Sequence, residues 1–228
     1  MADDGAKKEV DRSTVYGRIP VGFTPRRIVT GHNETGDSVV VSDSIGPARN
    51  ADGPGMLDFW QETNASVVDS RHTSDAVAGP QVLAPPAGGH KFRFFTIPPA
   101  PKSLNLMSEA EKNEYWSATQ RAFAGFGAAH EWTGTRVPGM HVTQTIDYII
   151  VLQGEVTLVL DKSETRLGPF DVVVQRGTNH GWWVAPDQPP CTMVAVLIDC
   201  GVVGGKGADA LVAAKGGSYY GDRVPSKL

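Results

Sequence analysis

The residues best able to do chemistry stand in two short stretches of the chain. The first is Pro138-Gly139-Met140-His141-Val142-Thr143-Gln144-Thr145-Ile146-Asp147-Tyr148. The second is Val173-Val174-Gln175-Arg176-Gly177-Thr178-Asn179-His180-Gly181-Trp182. Imidazole and carboxylate groups move protons near neutral pH and also bind divalent ions. Asp147 is the conspicuous member, because Thr145, Ile146, Tyr148 and Ile149 around it read as strand and Asp is disfavoured inside strands. Buried without partners it would be costly. Two readings stand: a pocket carboxylate, or a structural one that accepts hydrogen bonds from a turn or from Thr143 and Thr145.

Together the two stretches resemble the paired motifs of the cupin superfamily. The first cupin motif is His-x-His, three or four residues, Glu, six residues, Gly; His141, position 143, position 147 and Gly154 fall at that spacing. The second is a Gly-Asp turn leading through Pro-x-Gly-x-x-His, whose parts match Asp171, Gly177 and His180. Thr143 replaces the second His and Asp147 the Glu. Phe170 stands where Gly is usual, Gln175-Arg176 where Pro is usual, and Val184 where Asn is common. The stretch from Asp171 to His180 is one residue shorter than the usual pattern. More narrowly, the chain resembles stand-alone cupins of microbial catabolic operons and fungal aromatic polyketide clusters, described as oxidoreductases.

The resemblance implies an all-β fold: a jelly-roll antiparallel β-barrel whose lumen is a small-molecule pocket, often dimeric through added N-terminal strands. It implies a tailoring enzyme acting on an aromatic or polyketide-like substrate. With a divalent metal (Fe, Mn or Zn), the ligands would be His141, Asp147 and His180, a facial set of two imidazoles and one carboxylate. Without metal, His141 or His180 would act as general acid or base, oriented by Asp147, in a cyclisation, isomerisation, dehydration or decarboxylation. Thr143, Thr145, Gln175 and Trp182 are the expected pocket residues. A non-catalytic ligand binder and a structural homodimer with a vestigial pocket are the alternatives.

Geometry sets a condition on any shared site. Run as one straight strand, six residues at about 3.3 Å each would hold His141 and Asp147 about 20 Å apart. The chain must bend at Gln144-Thr145-Ile146, which are poor turn formers. Trp182 and Trp183 alternate, so one faces the lumen and the other packs outside. Arg93, between Phe92 and Phe94, either reaches an anionic substrate or forms a surface ion pair; the ion pair is the expected role.

The elements that position these residues are short strands. With 26 glycines and 16 prolines among 228 residues, a long coiled coil or helix bundle is excluded and a turn-rich β protein expected. A net charge of −4 gives no reason to expect nucleic acid or an anionic membrane as partner. Residues 1–20 read as a loose arm without a secretory h-region. Residues 21–100 hold a hairpin, Arg26–Thr30 with Ser38–Ser42, then a loop-rich stretch from Gly46 to about Gly89 and a strand Lys91–Ile97. Residues 101–127 hold one helix, 108–124, begun by a Ser108–Glu111 capping box. Residues 128–200 form the barrel core, with strands at Asp147–Leu152, Glu155–Leu160, Asp171–Val174, Gly181–Val184 and Thr192–Ile198. Residues 201–228 are a Gly/Ala-rich tail with one short helix at Ala208–Lys215.

Cys191 and Cys200 flank one strand at a spacing that puts them on opposite faces, so no disulfide is expected. His32, His72, His90 and His130 match no motif and read as surface or loop residues. The terminal Ser226-Lys227-Leu228 reads as a peroxisomal address met by an import receptor; otherwise the expectation is a cytoplasmic protein.

Overall fold

A computed structural model describes residues 26–45, 55–63, 68–71, 75–79, 82–125 and 136–200. The loose arm, the tail with its short helix and Ser226-Lys227-Leu228, and His72 and His130 lie outside the described residues.

Among the described residues, ten strands and one α-helix follow in order: β1 (Arg26–His32), β2 (Ser38–Ile45), β3 (Met56–Glu62), β4 (His90–Ile97), α1 (Glu109–Gly125), β5 (Thr145–Gln153), β6 (Val156–Leu160), β7 (Glu164–Leu167), β8 (Val172–Gln175), β9 (His180–Trp183) and β10 (Cys191–Asp199). All pairings are antiparallel. A five-stranded sheet runs β3-β4-β10-β5-β8, a three-stranded sheet β7-β6-β9, and β1 and β2 form a separate hairpin. This is the all-β architecture expected, with the helix peripheral.

The two sheets face each other across one apolar core. Ile149, Val151, Met193, Ala195 and Leu197 from the larger sheet meet Val156, Leu158 and Leu167 from the smaller. Each such side chain contributes about 1.5–3 kcal/mol when fully buried. Because successive residues of a strand point to opposite faces, the inward row of β5 reads Thr145, Asp147, Ile149, Val151. Asp147 therefore occupies a core position at the end of an apolar row and is 3% exposed.

The outer face of the larger sheet is also apolar. Phe94, Val194, Ile150 and Val172 line up across four strands, and Phe92, Val196, Tyr148 and Val174 form the next row. Phe92, Tyr148, Ile150, Val172 and Val174 are exposed there.

Two turns carry motif residues. Gly154 closes the β5–β6 hairpin at φ 80°, and a Cβ there would stand 2.6 Å from the Pro190 carbonyl oxygen. Phe170, in place of the usual Gly, is held at φ 72°, the only non-glycine at positive φ among the described residues. Its amide donates to Val151 O, and the Asp171 carboxylate accepts from the Gly168 amide, so hydrogen bonds lock the strained turn.

The helix starts as its capping box predicts: Ser108 N–H donates to Glu111 Oε2 at 2.8 Å and Glu111 N–H to Ser108 Oγ at 3.3 Å. No disulfide joins Cys191 and Cys200. The loop-rich reading of Gly46–Gly89 needs correction, because β3 lies within it. A bulge between Asp58 and Trp60 breaks the alternation that would have marked it. The short edge strand β7 falls where only turn residues stand out.

Candidate functional site

The bend between His141 and Asp147 is achieved by changing sheets. His141 forms an isolated antiparallel bridge with His180 at the start of β9, whereas β5 in the opposite sheet begins four residues later at Thr145. The crossing delivers both ends of the first motif to one pocket. Its walls include His141, Thr143, Asp147, His180, Trp182 and Arg93, with Met56, Leu83, Phe95, Ile97, Ile149, Ala195 and Leu197 supplying apolar surface. Its empty space, open solvent at the mouth included, is about 550 Å³.

The two imidazole rings lie against each other, centroids 4.4 Å apart with planes at 51°. His141 Nδ1 is 2.8 Å from Gly139 O and His180 Nδ1 is 3.0 Å from Thr178 O. A carbonyl can only accept, so in each ring Nδ1 carries the hydrogen and Nε2 holds the lone pair. Burial pushes both rings towards the neutral form, His180 down to about 3 with His141 adding to the shift.

Asp147 has the opposite displacement for the same reason. Burial raises its carboxyl to about 6, against hydrogen bonding from Thr145 and the positive field of Arg93. Its Oδ1 is buried with no hydrogen-bond partner among the described residues. Thr143 and Thr145 hydroxyls are 2.7 Å apart. Asp147 lines the pocket from the opposite sheet to the two histidines.

Trp182 is the tryptophan that faces the lumen, edge-on to His180 and 6.2 Å from the Phe95 ring. Thr145 and Gln175 are buried beside the pocket but are not among its lining residues. Gln175, opposite Asp147 in register on β8, spends its amide on Thr178 O and Oγ1.

Arg93 departs from the surface ion pair expected. It does pair with an acid, but at 2% exposure, inside the fold and on the pocket wall. Its Nε donates to Asp58 Oδ1 at 2.7 Å, Nη1 to Leu83 O and more distantly to Met56 Sδ, and Nη2 to Val82 O. Lys91, two residues earlier on the same face, donates to Val82 O at 2.6 Å and lies 3.5 Å from Asp58. The pair fastens Val82-Leu83 against the barrel, and Leu83 closes part of the pocket. The sequence signal was the alternation Lys91-Phe92-Arg93-Phe94, with the phenylalanines taking the outer face where Phe59 packs on them.

No family model matches the chain. Protein C' of the phomopsin biosynthesis cluster of Diaporthe leptostromiformis is 32% identical over 168 residues, which is 70% of this chain and 70% of the relative. The cupin-domain-containing oxidoreductase virC of Hypocrea virens is 41% identical over 64 residues, 27% of this chain and 33% of that protein. A second cupin-domain-containing oxidoreductase, fogC of Aspergillus ruber, is 33% identical over 87 residues, 36% of this chain and 43% of that protein. The chain belongs to the cupin superfamily. Among solved structures, the polyketide cyclase RemF of Streptomyces resistomycificus aligns over 63% of each chain at 15% identity and a TM-score of 0.32, too slight a likeness to speak for activity.

Cupins commonly hold a divalent metal, and the residues present can be tested for one. Catalytic zinc and facial-triad iron each need three protein ligands around one point. In this cupin, among the described residues, no three His, Cys, Asp or Glu side chains come together closely enough to hold an ion. Thr143, at the second-His position, is tied to Thr145, and Asp147 takes its hydrogen bond from Thr145. The histidine pair alone falls one ligand short of such a site.

Proposed function

We propose that this cupin is a small-molecule tailoring enzyme that performs acid–base chemistry on an aromatic or polyketide-like substrate in the barrel pocket. The observation that carries the reading is the Asp147 carboxylate: a core position, a buried Oδ1 without a partner, and a place on the wall of a largely apolar pocket. A structural carboxylate would have its oxygens satisfied.

In this role Asp147 is the proton acceptor. Its raised carboxyl titrates near neutral pH, where a general base is most effective. Burial holds His180 at about 3, too weakly basic to compete for the proton, and lowers His141 from its ordinary value. His180 presents Nε2 as a fixed acceptor that orients a substrate hydroxyl while Asp147 removes a proton at a neighbouring position. Phe95 and Trp182 supply flat apolar surface for a ring. Membership among relatives named for biosynthesis clusters and oxidoreductases supports tailoring work on a secondary metabolite. Cyclisation, isomerisation and dehydration all draw on such a base.

The test is turnover of a panel of hydroxylated aromatic ketones and polyketide mimics, with products followed by mass spectrometry. The wild type is expected to convert at least one member, and Asp147→Asn to lose about 100-fold or more while still binding it. Equal turnover by Asp147→Asn defeats the proposal. Conversion that stops with chelator and returns with added Fe(II) or Mn(II) would favour the oxidative reading instead.

A further inference from the structure

The polar side chains on the pocket wall share a property that selects a ligand. Arg93 has five N–H groups, and all are engaged by Asp58, Leu83 O, Val82 O and Met56 Sδ. The Thr143 and Thr145 hydroxyls hydrogen-bond to each other at 2.7 Å. His141 and His180 each give their Nδ1–H to a backbone carbonyl. Arg93 and the two Nδ1–H groups therefore have no donor left for a ligand, and the donors that remain on the wall are neutral, the Trp182 indole N–H foremost. The wall also offers acceptors, above all Asp147 Oδ1 and His180 Nε2.

We propose that the pocket takes a neutral hydroxyaromatic molecule bearing at least two hydrogen-bond donors, one addressed to Asp147 and one to His180, and that it rejects carboxylates. This deepens the proposed function by naming the substrate's recognition chemistry. It rests on the pocket being a ligand site but not on catalysis.

Three considerations lead from acceptors to this class. A carboxylate would find no cationic donor, since Arg93 is spent, and would stand beside an aspartate of its own charge, so its desolvation would go largely uncompensated. An ammonium would supply donors, but the buried charges already balance, Lys91 and Arg93 against Asp58 and Asp147, so no net negative field draws a cation in. A phenol supplies donors without charge, and its ring suits the surface of Phe95, Trp182, Leu83 and Ile97. Arg93, the one charged group that suggested an anionic substrate, is instead a positioning residue for the Val82-Leu83 wall.

The experiment is calorimetric titration of the full chain, at pH 7.5 with EDTA present, using 1,3-dihydroxynaphthalene, its dimethoxy ether and 1-naphthoate. The diol should bind about tenfold or more tighter than the ether, as a hydrogen bond to a charged acceptor warrants, and naphthoate should bind weakest. His180→Phe and Asp147→Ala should each shrink the gap between diol and ether. If either variant fails to fold by circular dichroism, the wild-type ranking still decides. Equal binding of diol and ether, tighter binding of naphthoate, no binding of the diol, or a preference that disappears in EDTA and returns with Mn2+ overturns the inference. Donor-dependent binding without turnover of any hydroxyaromatic keeps this inference and defeats the catalytic reading. Turnover of the ether at the diol's rate does the reverse.

Discussion

His141 and His180 are joined through their backbones before their side chains meet: each amide donates to the other's carbonyl, at 2.9 and 3.0 Å, and the rings then lie 4.4 Å apart. This bridge links the two motifs across the sheet change, and the pocket is built around it. Its acid counterpart, Asp147, enters from the opposite sheet.

Asp147 should make the fold pH-sensitive in a particular direction. Its carboxyl titrates at about 6 in the folded protein, against about 3.9 in an unfolded chain. Between those values the folded state keeps a proton that the unfolded chain has lost. Stability from this group is full below about pH 4 and falls as pH rises to about 6. Asp147→Asn should therefore be more stable than wild type at pH 7.5, by about 2–3 kcal/mol, with the advantage vanishing near pH 4. Urea denaturation at the two pH values measures it. A constant difference would mean that Asp147 is not the titrating group.

Phe170→Gly should stabilise the protein. Relief of the left-handed backbone gains roughly 1–2 kcal/mol, and the greater freedom of an unfolded glycine gives back roughly 0.5–1. At 82% exposure, the lost ring takes little burial with it. A net gain of about 0.5–1 kcal/mol should appear as a rise in Tm, and a fall would show that the ring has a packing role.

Asp58→Ala should be severely destabilising, by about 3–5 kcal/mol, because it leaves Lys91 and Arg93 buried without their shared anion. Burial already holds both cations below their ordinary basicity. Adding Arg93→Met should recover part of the loss, and equilibrium unfolding of single and double variants gives the coupling. Additive losses would contradict the shared-anion account.

Gly154→Ala should cost more than the roughly 1 kcal/mol expected of backbone strain alone, since its Cβ would press on the Pro190 carbonyl. Thermal unfolding measures this, and an unchanged Tm would mean that the β5–β6 hairpin shifts to make room.

Much of this was legible in the sequence because two periodicities were intact. The barrel strands β5 and β10 announce themselves by apolar runs between turn residues, and the motif spacing put His141, Asp147 and His180 on one pocket before any contact was known. Asp147 betrayed itself by its type at a strand position. What the sequence hid was pairing. Strand β3 was concealed by its bulge, and Arg93 read as surface because its buried partner, Asp58, lies 35 residues earlier on that concealed strand. The ligand count around a metal was equally hidden, since spacing places residues on a wall but does not bring their donor atoms to one point.

The most direct measurement is the pH dependence of kcat/KM on a substrate found in the hydroxyaromatic panel, for wild type and Asp147→Asn. If Asp147 is the proton acceptor, the wild-type profile rises through an ionisation near pH 6, with no limb from His180 between pH 5 and 8, and the residual activity of Asp147→Asn shows no such rise. An identical rising limb in both proteins would contradict the account.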